Sequence, residues 1–116
     1  MSNLTKHGNN ADMQVKPLSD YMMRYLGFTD CVEHRWYLCK PIDEDITFNV
    51  SIEKDGSDWR IDILDENFLQ PYDYQYFIES GNSPQFAYKV KAFVDAEMTK
   101  LVNVGIISNW KVGDYV

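Results

Sequence analysis

The eight residues Ile46-Thr47-Phe48-Asn49-Val50-Ser51-Ile52-Glu53 alternate apolar and polar without a break. On a β-strand successive side chains face opposite ways, so Ile46, Phe48, Val50 and Ile52 share one face while Thr47, Asn49, Ser51 and Glu53 share the other. Lys54-Asp55-Gly56-Ser57 is a turn. A chain folding back across it pairs Ile52 with Trp59, Val50 with Ile61 and Phe48 with Ile63 on one buried face. That register accounts for every apolar position in the hairpin.

The neighbouring segments build outward from it. Glu33 to Lys40 is rich in aromatic and branched residues and reads as a further strand, with Trp36 and Leu38 on one side and Arg35 and Tyr37 on the other. Before it, Ser19 caps a short helix carrying Met22, Tyr25 and Leu26, and Gly27 stops it. After the hairpin, Pro71 suits the first turn of a short helix over Tyr72 to Glu79. Ser83-Pro84 then opens the longest helix, running toward Gly105, whose apolar face gathers Phe86, Val90, Phe93, Val94, Leu101 and Val104. The expected fold class is α+β: a short N-terminal helix, a three-stranded antiparallel meander, a short helix, and a long C-terminal helix packed on one sheet face. Residues 1–16 are polar, contain Gly8-Asn9-Asn10 and lack a sustained apolar period, so they read as a mobile polar tail. Residues 17–116 read as a single α+β domain.

At 116 residues, 45% of them hydrophobic, the chain supports one core and is too apolar for a disordered protein. No apolar run is long enough to span a bilayer, and the polar start Met1-Ser2-Asn3-Leu4-Thr5-Lys6-His7 lacks the apolar core of a secretion signal. The expected location is the cytoplasm, without membrane association. Cys31 and Cys39 are too few for a disulfide framework and read as free thiols.

Charge is distributed unevenly. Between Pro41 and Ser80 eleven acidic residues face two basic ones, a net −9, although the whole chain carries −7. Direct nucleic-acid binding needs a concentration of Lys and Arg, so this balance argues against it and favours a basic partner.

Several groupings bear on chemistry. Cys31-x-x-His34 and Cys39 are zinc-type ligands in close sequence, but His34 and Cys39 have opposite strand parity, and the other histidine, His7, lies in the tail. The carboxylates Asp55, Asp58, Asp62, Asp65, Glu66 and Asp73 do not follow the spacing of a calcium loop. We therefore expect no metal and no cofactor. Glu97 stands within the apolar face of the long helix, where a carboxylate needs a partner; Arg35, Arg60, His34 or a tyrosine hydroxyl are the expected ones. A catalytic reading would use Glu97, or Asp62, Asp65 and Glu66, as acid–base or metal-binding carboxylates. No nucleophile elbow, zinc-binding helix or dinucleotide fingerprint occurs, and the expectation is that the protein is not an enzyme.

The most distinctive tract interleaves aromatics with acids: Asp62-Ile63-Leu64-Asp65-Glu66-Asn67-Phe68-Leu69-Gln70-Pro71-Tyr72-Asp73-Tyr74-Gln75-Tyr76-Phe77. Tyr72, Tyr74 and Tyr76 alternate and cannot all be buried on one side, so a tyrosine faces solvent. In the plain structural reading, Phe68, Leu69, Tyr72 and Phe77 seal the end of the sheet. The hairpin register brings the 41–45 turn and the exit of the last strand to one end of the sheet, and sends the Asp55 turn to the other. The candidate partner-binding cluster is therefore Asp43, Glu44, Asp45, Asp65, Glu66, Tyr72, Asp73 and Tyr74.

Leu26-Gly27-Phe28, Phe48-Asn49-Val50, the 62–74 tract and the ending Gly113-Asp114-Tyr115-Val116 resemble small uncharacterised proteins of Gram-positive bacteria and their phages. The resemblance assigns no catalytic residue. It implies a context in which small proteins act by binding a host protein. The leading expectation is an acidic cytoplasmic interaction module, phage-borne, presenting this cluster to a basic surface of a host protein. Its sharp form is mimicry of nucleic acid before a nucleic-acid-binding protein. The alternatives are the small carboxylate-dependent enzyme and a homodimeric structural component, with the oligomeric state open.

Overall fold

The computed structural model of the chain describes residues 3–6, 12–32 and 34–116. His7 and Glu33 lie outside the described residues. The hairpin predicted from alternation forms as β5 (Ile46–Glu53) and β6 (Trp59–Asp65), named here in chain order, pairing Ile52 with Trp59, Val50 with Ile61 and Phe48 with Ile63. β4 (Arg35–Pro41) lies on the other side of β5, with Trp36 opposite Ile52 and Leu38 opposite Val50. These eight side chains are buried on one face of the sheet. Each large apolar side chain taken out of water contributes about 1.5–3 kcal/mol.

The sheet is larger than a three-stranded meander. Among the described residues it has six strands, in the order β1 (Asn3–Thr5), β6, β5, β4, β3 (Thr29–Val32), with β7 (Gln70–Pro71) also on β6, all paired antiparallel. The added strands are β1, β3 and β7. They are edge strands of two to four residues, too short to display a period, and are held by the backbone groups of the neighbour.

The same reason corrects the expected tail. Asn3–Thr5 pairs with Arg60–Asp62, and β2 (Gln14–Val15) pairs with β8 (Ile107–Ser108) in a separate two-stranded sheet. Met13 and Val15 are buried in the core, and the Lys16 amide donates to the Ile106 carbonyl at 3.0 Å. These parts of residues 1–16 belong to the fold.

Three helices complete the described structure. In α1 (Asp20–Tyr25) the Ser19 hydroxyl accepts from the Met22 amide as expected, but Met23 is the buried residue and Tyr25 is exposed. α2 (Tyr74–Ser80) begins at an Asp73 cap rather than at Pro71, which is spent in β7. α3 (Pro84–Asn103) has proline in its first turn, and Ser83 precedes it without a side-chain cap. Its inward stripe is Ala87, Val90, Val94, Glu97, Met98 and Leu101, while Phe86, Phe93 and Val104 sit at the margin. The α3 stripe and the sheet face form one core. The architecture is thus α+β, a mostly antiparallel sheet with a long C-terminal helix. No helix among the described residues is long and apolar enough to cross a membrane.

Candidate functional site

Two turns meet at one end of the sheet. Residues 42–45 connect β4 to β5, closed by Ile42 and Asp43 amides donating to the Ile46 carbonyl at 2.8 and 3.2 Å. Residues 66–69 connect β6 to β7. Because Ile46 pairs with Asp65, the two turns are adjacent, and the Glu66 amide donates to the Asp45 carbonyl at 2.7 Å. Between them opens a cleft of about 320 Å³.

Asp43, Glu44, Asp45 and Asp65 supply carboxylates to its walls, and Ile46, Phe68, Tyr72 and Phe86 supply apolar surface. Tyr72 is held by stacking on Phe77 at 5.4 Å between ring centroids and by an edge contact with Phe86 at 5.6 Å. Burial and the nearby charge of Asp65 push its phenol above the usual range. Lys89 of α3 approaches Asp43 at 3.7 Å from an exposed position. Four carboxylates thus share a small, half-apolar concavity, which suits a cationic, partly apolar ligand.

The structure sorts the predicted cluster. Asp43, Glu44, Asp45, Asp65 and Tyr72 line the cleft. Glu66 stands beside it and accepts from the Thr47 hydroxyl at 2.9 Å. Asp73 caps α2, its Oδ1 accepting from the Tyr76 amide at 3.1 Å. Tyr74 leaves the surface altogether. As the first residue of α2 it points into the core at 0% exposure, where its hydroxyl accepts from the Val116 amide at 2.9 Å. Tyr76 is the exposed tyrosine of the three.

Phe68 and Leu69 do not seal the sheet; they are 68% and 78% exposed. The turn that carries them is fixed by Asp65 Oδ1, which accepts from the Asn67 and Phe68 amides at 3.0 and 3.3 Å. Leu69 has φ of 53°, in the left-handed region. For a residue with a branched side chain that conformation costs on the order of 1 kcal/mol. The signal for this was present in the sequence: a run of Asp-Glu-Asn between a strand and an apolar pair is turn chemistry, and a turn tip is exposed.

The other candidates are committed elsewhere. Glu97 is 8% exposed and bonded to Lys40 Nζ at 3.0 and 3.1 Å, with Lys100 Nζ at 3.4 Å. Its bonds come from lysines rather than from the expected partners: Arg35 is on the outer sheet face, bonded to Ser51, to Glu53 at 2.5 Å and to Asp58 at 3.2 Å. Asp62 is paired with Arg60 at 2.9 Å and accepts from Asn49 at 3.2 Å. His34 Nδ1 lies 3.1 Å from Glu53 Oε2. Cys31 and Cys39 are exposed and unbridged, and burial followed by the charges of Glu66 and Asp62 raises the Cys39 thiol. Among the described residues no group of three or more His, Cys, Asp or Glu side chains is arranged to hold a metal.

The fold is that of a small α+β protein. A solved structure of a DUF1831 family protein from Lactobacillus plantarum is similar, with a TM-score of 0.58 and 12% sequence identity over 83% of this chain and 84% of that one. At that identity the likeness shows the fold. Its source is a Gram-positive bacterium, in line with the resemblance seen in the sequence, and it lends no support to a phage link. No family model matches the chain, and no curated protein matches it.

Proposed function

We propose that the protein is an acidic interaction module whose cleft between the 42–45 and 66–69 turns engages a basic surface of another protein. The observation carrying this reading is the convergence of Asp43, Glu44, Asp45 and Asp65 on one concavity with Tyr72 and Phe86. Carboxylates held around a partly apolar pocket speed and orient the approach of a cationic partner, and their effect weakens as salt rises. The pairing of Glu97 with two lysines favours this reading over one in which Glu97 is an acid or base. The sharper form is mimicry of nucleic acid, with these carboxylates standing for phosphates before a nucleic-acid-binding protein. A cytoplasmic location and a phage-borne origin belong to the same reading.

A labelled lysine-rich peptide provides the test. Wild type should bind it with an affinity that falls steeply with ionic strength. The isosteric variant D43N/E44Q/D45N/D65N, which keeps the turn-closing acceptors, should bind at least about ten-fold more weakly. Equal binding by the two proteins would overturn the reading.

A further inference from the structure

The exposed pair Phe68 and Leu69 has no role in the core, and the backbone of Leu69 is unfavourable for its own side chain. At φ of 53° an asparagine or glycine would sit with less strain. Phe68 also forms part of the wall of the acidic cleft, and Leu69 follows it on the same turn, so the apolar tip adjoins the four acidic residues. The tip is held in place on both sides: Asp65 closes the turn, and Gln70 pairs back onto Asp65 through β7. An exposed aromatic and aliphatic pair on a fixed turn loses little freedom when it is covered.

Resting on the interaction reading above, we infer that the partner is a basic amphipathic segment, whose apolar side covers Phe68 and Leu69 while its lysines and arginines meet Asp43, Glu44, Asp45 and Asp65. Charge complementarity selects this occupant. A purely cationic segment leaves the tip in water, and a purely apolar one covers an acidic rim whose one ion pair is the exposed Lys89–Asp43 contact at 3.7 Å, too little to balance four carboxylates. A second copy of this chain brings the same acidic rim against itself.

The test uses two synthetic peptides of equal length and charge, one of lysine and leucine in amphipathic register and one of lysine and serine, titrated into wild type, Leu69→Asn and Phe68→Ser. Wild type should bind the lysine–leucine peptide at least about ten-fold more tightly than the lysine–serine peptide, and each variant should lose most of that preference; Leu69→Asn, which lies outside the cleft wall, should still bind the lysine–serine peptide as wild type does. Leu69→Asn should keep the melting temperature or raise it by up to about 4 °C, which a structural role for the leucine would not allow. Equal preference in wild type and variants overturns the inference while leaving the electrostatic reading intact. Loss of lysine–serine binding in wild type overturns the electrostatic reading itself. Light scattering that finds a wild-type dimer made monomeric by Leu69→Asn also overturns the inference, because the tip would then be covered by a second copy.

Discussion

Lys40 of β4 and Glu97 of α3 meet across the layer between sheet and helix, with Nζ 3.0 and 3.1 Å from the two carboxylate oxygens. Lys40 pairs with Phe48 in the β4–β5 register, and so belongs to the same sheet face as Trp36 and Leu38. The ion pair fixes the helix over the margin of the sheet, and Lys40, with its side chain one-third exposed, carries the charge out toward water.

Removing one partner should be worse than removing both. Lys40→Met should lower stability by about 1–3 kcal/mol, less than for a fully sealed pair because Lys100 remains near Glu97. The double variant K40M/E97L should recover part of that loss. Urea denaturation of the four proteins of the cycle measures the coupling; additive losses would mean that the pair does not join the two layers.

Tyr74 gives the protein an alkaline limit. Burial, its largest cause, pushes the phenol well above its ordinary value of 10.0. A group whose folded pKa is raised contributes stability that is complete below its unfolded pKa and is lost as pH climbs beyond it. At neutral pH Tyr74→Phe should cost about 1 kcal/mol, from the lost bond to the Val116 amide. The wild-type advantage should hold up to about pH 10 and shrink above it. Denaturation series at rising pH check the trend.

Asp30 has the opposite sign. A hydrogen bond from Lys54, opposed by burial and aided by the charges of Lys54 and Arg24, holds its carboxyl below the ordinary 3.8. The contribution is therefore present above pH 3.8 and is lost as pH falls through the lowered folded value. Asp30→Asn should lower the melting temperature at pH 7, and the gap to wild type should close below about pH 4. A gap that persists in acid would mean that Asp30 acts by packing alone.

The hairpin was legible because Ile46 to Glu53 alternates without exception and Trp59, Ile61 and Ile63 answer it across the turn. α3 was legible from Ser83-Pro84 and its apolar period, though the stripe centres on Ala87 and Met98 rather than on the bulkier Phe86 and Phe93. β1, β2 and β7 carry two or three residues each, too few to display a period, so neither the backbone pairing that holds them nor the burial of Val15 could be read from alternation. The partner of Glu97 was within reach: strand parity places Lys40 with Trp36 and Leu38, but a lysine at a strand end reads by habit as solvent-facing. The acidic end of the sheet followed from the register of the hairpin. Tyr74 did not, because its inward turn depends on where α2 begins, and Asp73 rather than Pro71 decides that. The exposure of Phe68 and Leu69 was masked by their composition, since apolar residues beside a sheet are ordinarily core.

Docking at the acidic cleft, as proposed, is open to backbone amide NMR during titration with the lysine-rich peptide. Shifts should concentrate at residues 43–46, 65–69, 72 and 86, with the Asp55–Asp58 turn at the far end of the sheet left unmoved. Shifts spread evenly over all the acidic turns, or centred on residues 55–58, would contradict it.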